Sequence, residues 1–269
     1  MPRPKRRLSQ HFLSDPRILG RIADALEAGE EDAVLEIGPG PGTLTAVLAR
    51  RVGRLVCIEK DRDLVPGLRA RFPDVQIIEG DALEFDWPAL VAPESRFAVI
   101  GNIPYRITSP LIDKALTPPR PWRVVYLVQR EVADRVIASP GSESYGALSI
   151  GVQAVARAER LFPVAAGAFH PRPRVDSAVL RLTPRPDPLV TDTEVAGFRR
   201  LVVGLFGLRR KRLVRGLREL TGDSGPRVEL RLKEAGISPE VRPETLSPED
   251  FARLYRAFSG LLAAGPPGG

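Results

Sequence analysis

Apolar positions in residues 15–27 recur every three or four places, at Ile18, Leu19, Ile22, Ala23 and Leu26. This is the spacing of one helix face. Ser14 or Asp15 can cap that helix, and Pro16 suits its first turn. Short apolar runs follow at 33–38, 54–61, 75–81, 97–102 and 122–129, each predicting a buried strand. Helical spacing lies between them at 43–52 and at 63–72, the latter irregular around Pro66 and Gly67, and again at 131–138. Strands alternating with helices predict βαβ units and a parallel sheet. Residues 152–162 and 176–184 alternate apolar with polar and predict late strands, paired at one edge of the sheet. The Gly- and Pro-rich stretch 165–174 between them is expected to lack regular structure. Beyond Pro184, Pro186 and Pro188 the period becomes helical, with amphipathic helices at about 191–206, 210–219, 226–235 and 247–258 and a frayed tail. The expected architecture is an α/β domain over 1–187 and a small all-α domain over 188–269.

Composition narrows the function. A chain of 269 residues can bury a core without staples, and its net charge of +7 favours a polyanionic partner. One cysteine, Cys57, excludes a disulfide scaffold and a cysteine-built zinc site, and His11 and His170 leave little for a metal; none is expected. No apolar run reaches the ~18 residues of a membrane span. The basic start, MPRPKRRLSQHFL, lacks the apolar stretch of a secretory signal. A cytoplasmic protein without membrane contact is expected. Charge is divided along the chain. Residues 22–95 carry 15 acids against 7 bases, whereas 191–218 carry 8 bases against 2 acids, which suggests a division of labour.

Three segments carry chemistry. Gly38, Gly40 and Gly42 lie between the first strand and its helix, where a ligand can approach the backbone. Thr43 stands where a dinucleotide cradle needs its third glycine, so the loop suits a nucleoside with an amino-acid tail better than a pyrophosphate. Glu59, at the end of the second strand, can accept from two ribose hydroxyls, and Asp81, at the end of the third, from an adenine amino group. Asn102-Ile103-Pro104-Tyr105 ends the fourth strand. The Asn102 amide oxygen and the Ile103 carbonyl can hold the two hydrogens of an exocyclic amine, and Tyr105 can stack on the ring that bears it. Such an amine is a weak nucleophile because its lone pair is conjugated. Two fixed acceptors favour its change to a tetrahedral nitrogen without a tuned base.

The ordered set QHFL (10–13), EIGPGPGTLT (36–45), IEKD (58–61), EGDAL (79–83), GNIPY (101–105), FHPRPRVDSAVLRL (169–182) and RRKRL (209–213) resembles the S-adenosyl-L-methionine-dependent rRNA adenine N6-dimethyltransferases. The resemblance spans about residues 6–258, and the segment 237–255 is similar to the bacterial small-subunit (16S) branch. It implies a Rossmann-like class I methyltransferase sheet and dimethylation of adenine N6 in 16S rRNA. It also implies S-adenosyl-L-methionine contacts at His11, Leu13, Gly38, Gly40, Glu59, Asp81 and Asn102. The reacting base would meet Asn102, Ile103, Pro104 and Tyr105, with Phe169 stacking opposite Tyr105. The family's usual Gln-Asn-Phe-Leu reads Gln-His-Phe-Leu here, and Leu8-Ser9 replaces a usual Phe-Gly. The expected partner is small-subunit rRNA or a pre-ribosomal small subunit, met by a monomer. Its phosphates would be contacted through Arg172, Arg174, Arg209, Arg210, Lys211 and Arg212, with Arg3, Lys5, Arg6, Arg7, Arg199, Arg200 and Arg215 adding charge. The alternatives are a large-subunit (23S) methyltransferase of macrolide-resistance type, an adenine-specific DNA methyltransferase, and a non-catalytic rRNA-binding assembly factor on the same fold.

Overall fold

The computed structural model describes residues 10–91 and 96–262. Arg3, Lys5, Arg6, Arg7, Leu8, Ser9 and the tail from 263 lie outside the described residues. The chain forms two compact units, one from residues up to Ala133 together with Arg157–Pro184, the other from Asp134–Ala156 together with the chain from Arg185 onward.

The first unit begins with β1 (Phe12–Leu13) and α1 (Pro16–Leu26), followed by β2 (Ala33–Ile37), α2 (Thr45–Leu48), β3 (Arg54–Glu59), α3 (Val65–Arg71) and β4 (Gln76–Glu79). Next come α4 (Trp87–Val91), β5 (Phe97–Asn102), α5 (Thr108–Ala115) and β6 (Arg123–Gln129). The chain then runs through α6 (Arg130–Val136) and α7 (Ala147–Gln153), and returns as β7 (Ala156–Val164), β8 (Phe169–His170) and β9 (Ser177–Pro184). Asp15 caps α1, its Oδ1 accepting from the amides of Arg17 at 2.9 Å and Ile18 at 3.4 Å. The helix buries Leu19, Ile22, Ala23 and Leu26, the face set by their spacing.

Seven strands form one sheet in the order β4-β3-β2-β5-β6-β9-β7. The first five are parallel, and β9 runs antiparallel to β6. The chain leaves β2 toward β3 on one side and reaches β5 on the other, so the order reverses at β2. A crevice forms there beyond the carboxyl ends of the strands.

Several elements differ from expectation. The stretch 165–174 is partly regular: Ala166–Ala168 forms a 3-10 turn and β8 pairs antiparallel with β1. That strand depends on a partner near the other end of the chain, which local composition does not show. Residues 147–153 are helical, so the late strand starts at Ala156 rather than 152, while β7 does sit at the sheet edge beside β9. Helices α4 and α5 are additional to the elements read from the pattern.

The second unit adds α8 (Val195–Gly207), α9 (Leu213–Thr221), α10 (Gly225–Glu234) and α11 (Pro248–Leu262). Phe198, Leu201 and Leu205 of α8 are buried, as are Leu217 of α9 and Phe251 of α11. The rings of Phe206 and Phe251 stack with centroids 6.1 Å apart. Residues 134–156 join this unit instead of the α/β one, unlike the division at 187/188. Hydrogen bonds explain why: the Gly141 amide donates to the Glu244 carbonyl, the Tyr145 hydroxyl to the Leu246 carbonyl and the Leu189 amide to the Ala154 carbonyl, each at 2.8 Å. Among the described residues no helix is long and apolar enough to cross a membrane.

One buried acid stands out in the sheet. Glu36 in β2 is 1% exposed, and the Cys57 thiol donates to its Oε2 at 3.4 Å. Burial pushes the Glu36 carboxyl from 4.5 up to about 7, and the nearby Glu59 adds to the shift. Between these values the unfolded chain releases a proton that the folded protein keeps. Stability therefore falls as pH rises from about 4.5 to about 7, by about 3 kcal/mol in all. Glu36→Gln imitates the protonated acid and should remove this fall. Thermal melts should show the variant more stable than wild type at pH 8 and comparable to it at pH 5. Parallel curves for the two proteins across that range would contradict the assignment.

Candidate functional site

A cleft of about 300 Å³ opens at the carboxyl ends of β2, β3, β4 and β5. Its floor begins with the glycine loop. Gly38 and Gly40 have φ of +66° and +59°, a region that disfavours side chains. This conformation lets the Gly40 amide donate to Oε2 of Glu59 at 2.9 Å. A Cβ on Gly38 would find only the Asn102 carbonyl, at 3.9 Å, so that face of the loop is open to the cleft.

Glu59 is 5% exposed and its Oε1 also accepts from the Asp61 amide at 2.7 Å. Burial raises its pKa, and the amide donors from Asp61 and Gly40 offset part of that rise. A carboxylate offers about four acceptor positions. Main-chain amides use part of this capacity, which leaves room for a donor from a ligand.

The next strand end supplies Asp81. Burial alone would raise its pKa, but the Lys60 ammonium and the Leu83 amide outweigh burial and hold it below the usual range. Lys60 also lines the cleft. Gln10 completes this side, its Nε2 donating to Oδ2 of the buried Asp61 at 2.9 Å.

Asn102 ends β5 on the opposite wall. Its Nδ2 donates to the His11 carbonyl at 2.8 Å. A carbonyl can only accept, so this contact fixes which end of the amide is nitrogen. Oδ1 is left as an acceptor with no hydrogen-bond partner among the described residues. Pro104 follows Ile103 and brings no N–H that could compete beside the Ile103 carbonyl. Tyr105 opens a 3-10 turn that leads into α5, and its hydroxyl is 2.9 Å from Oγ of the buried Ser177. Partial burial raises the Tyr105 pKa, so the phenol is neutral at pH 7.

His11 takes a position the motif alone does not assign. Its Nδ1 lies 2.7 Å from the Pro171 carbonyl, so Nδ1 carries the proton and donates. Its ring stacks on Tyr105, centroids 5.7 Å apart and planes at 25°.

The fold thus gathers His11, Gly38, Gly40, Glu59, Asp81, Asn102, Ile103, Pro104 and Tyr105 around one cleft. It does not bring Leu13 or Phe169 there. These two residues pair across β1 and β8, and both side chains are buried in the hydrophobic core, at 2% and 5% exposure. The Leu13 carbonyl accepts from the Thr43 hydroxyl at 2.9 Å. His11, not Phe169, is the ring beside Tyr105. Residues missed from sequence include Gln10, Lys60 and Arg106. Lys60 and Arg106 each follow a singled-out residue directly, and that adjacency was the available signal.

Arg172 and Arg174 are exposed on the segment just past Pro171, and neither makes an ion pair among the described residues. In the second unit, Arg209 and Arg210 are likewise exposed and unpaired among the described residues. Lys211 pairs with Glu219, and Arg212 with Glu240. Helix α9 starts only at Leu213, not at about 210, so Arg209, Arg210 and Lys211 precede it and Arg212 is its N-cap.

The sequence matches the family described as "Ribosomal RNA adenine dimethylase" over residues 1–259. It is 43% identical over 266 residues to ribosomal RNA small subunit methyltransferase A of Geobacter metallireducens, covering 96% of this chain and 97% of the relative. A crystal structure of a dimethyladenosine transferase from Plasmodium falciparum is similar with a TM-score of 0.79 at 26% identity, covering 93% of this chain and 98% of the other. The crystal structure of 23S rRNA methyltransferase ErmE is similar with a TM-score of 0.69 at 29% identity, covering 92% and 99%. That similarity extends over most of the helical unit as well as the α/β unit. Motifs, site and full-length similarity agree: the chain belongs to the ribosomal RNA adenine dimethylase family.

Proposed function

We propose that this protein transfers methyl groups from S-adenosyl-L-methionine to N6 of adenine in small-subunit rRNA, giving dimethyladenine. The observation that carries this reading is the Asn102 amide, whose nitrogen is bound to the His11 carbonyl and whose oxygen is left as an acceptor beside Tyr105 in the cleft.

The residues present fit the cofactor. Glu59 retains acceptor capacity for the ribose hydroxyls, Asp81 is an ionised acceptor for an adenine amino group, and the loop at Gly38 is open to a main-chain approach. When bound, S-adenosyl-L-methionine supplies an electrophilic methyl group on a sulfonium. Asn102 Oδ1 and the Ile103 carbonyl accept from the target amine and orient its lone pair. Tyr105, anchored at Ser177, stacks on a base swung out of its helix. Most of the rate then comes from proximity and orientation. We take a monomer as the working unit. We place the reaction in the cytoplasm, where small subunits are assembled. The α/β unit is the catalytic part in this reading, and the helical unit holds RNA.

The large-subunit reading draws on the ErmE similarity, but identity to the small-subunit relative is higher, 43% against 29%. Labelled methyl transfer to unmethylated small subunits, to naked 23S rRNA and to DNA, with nucleoside analysis of each, separates the readings. Dimethyladenine should appear in the small subunit, and label confined to 23S rRNA or DNA would reject the proposal.

Three variants test the residue roles. Asn102→Ala should lower single-turnover methylation by about 10²–10³ with cofactor saturating, the usual cost of losing a fixed acceptor group. Near-normal turnover would remove Asn102 from the reacting centre. Glu59→Gln keeps the size of the side chain but not its charge. Calorimetry should show cofactor affinity weakened by about ten- to a hundredfold, since charge-assisted bonds contribute roughly 1.5–3 kcal/mol. In the helical unit, Arg209→Gln with Arg210→Gln should weaken subunit binding and flatten its dependence on salt by about one in the log–log slope per lost contact. Lys211→Gln with Arg212→Gln should do less, because Glu219 and Glu240 already hold those charges. Filter binding at several salt concentrations ranks the two pairs.

A further inference from the structure

Two cations line the cleft, Lys60 and Arg106. Lys60 is neutralised by Asp81. Arg106 is exposed and makes no ion pair or hydrogen bond among the described residues. Several arginines of the same unit are held: Arg51 by Asp24, Arg181 by Glu27 and Glu159, and Arg69 by the Ile77 carbonyl. Arg172 and Arg174 are, like Arg106, unpaired among the described residues but do not line the cleft. Arg106 sits in the 3-10 turn Tyr105–Ile107, one residue past the aromatic platform. That turn is fixed, because the Ile107 amide donates to the Pro104 carbonyl at 3.1 Å and the Tyr105 hydroxyl is anchored at Ser177.

The cleft is therefore polarised. The carboxylates of Glu59, Asp61 and Asp81 lie at the ends of β3 and β4, and the unpaired guanidinium lies past the end of β5. A cationic sulfonium is favoured on the acidic side and disfavoured beside Arg106. A nucleotide swung onto Tyr105 brings its own phosphates, which stay on the strand at the mouth of the cleft. Guanidinium matches phosphate with paired, planar N–H donors.

We infer that Arg106 binds a backbone phosphate flanking the target adenosine and so holds the extruded nucleotide on Tyr105. Arg106 is then a substrate contact within the reaction proposed above, and the inference rests on that reading. It differs from the contacts of Arg172, Arg174, Arg209 and Arg210 because it lies in the cleft itself. Its effect should appear in productive docking of the target base more than in overall subunit affinity.

Arg106→Gln and Arg106→Lys, each as the full-length protein, test this with unmethylated small subunits as substrate. Arg106→Gln should raise KM for the subunit by about ten- to a hundredfold, with kcat changed less. It should also flatten the log–log dependence of kcat/KM on salt by about one. Arg106→Lys should recover most of the loss, because the charge is retained. Cofactor affinity by calorimetry and the unfolding midpoint should match wild type in both variants. A cofactor affinity weakened by the same factor would overturn the inference and place Arg106 on the cofactor's carboxylate. An unchanged KM and salt slope in Arg106→Gln would overturn it as well, as would a lysine variant no better than glutamine. Wild-type transfer to the small subunit is the separate check on the proposed function. If it fails, that reading falls and the inference falls with it, whereas a wild type that methylates beside an unaffected Arg106→Gln rejects the inference alone.

Discussion

The hydrogen bond from Nδ2 of Asn102 to the His11 carbonyl ties the end of β5 to the backbone just before β1. Much of the site depends on it. The bond fixes the orientation of the Asn102 amide, because a carbonyl accepts and cannot donate. It also holds the backbone of His11, whose ring stacks on Tyr105 and whose Nδ1 grips the Pro171 carbonyl. Tyr105 in turn reaches Ser177 at the start of β9. Three segments far apart in sequence thus meet at one wall of the cleft. A group that must hold a weak nucleophile in a single orientation gains from being fixed before the substrate arrives.

The opposite wall is built by a second bridging group. The Glu59 carboxylate joins the glycine loop after β2 to the turn after β3 through the amides of Gly40 and Asp61. A buried acid is costly unless it is hydrogen-bonded, and these amides supply that compensation. The same bonds leave the carboxylate's other positions directed at a ligand. One residue therefore shapes the loop and offers the acceptor, which couples local folding to binding. Burial raises the pKa of Glu36 and Glu59 alike; Glu36, close by, meets the side chains of Thr45 and Cys57 rather than main-chain amides.

His11 illustrates how a departure from a family pattern can be absorbed. The main-chain carbonyl of residue 11 serves Asn102 whatever its side chain is. The imidazole takes a different partner, the Pro171 carbonyl, and thereby fastens the segment that carries Arg172 and Arg174. The Asn102 geometry therefore rests on the main chain of residue 11, not on its imidazole.

The sequence by itself determined the strand–helix alternation, a helix cap at Ser14 or Asp15, the glycine loop, and the residues at the four strand ends that line the cleft. These are local properties: periodicity, turn chemistry and the rule that parallel strands present their carboxyl ends together. Only the tertiary structure decided the rest. The pairing of β1 with β8 joins Phe12–Leu13 to Phe169–His170, and no local pattern signals a two-residue strand. That pairing sends the side chains of Leu13 and Phe169 into the core and leaves His11, where Phe169 was expected, as the ring beside Tyr105. Residues 134–156 joined the helical unit because their backbone and side-chain donors find acceptors there. The availability of the arginines for a ligand was hidden for the same reason. Arg212 and Arg106 look alike in a sequence, but one is folded against Glu240 and the other faces the cleft with no carboxylate beside it. Whether a charged group is available depends on its neighbours in space, and chain order does not specify them.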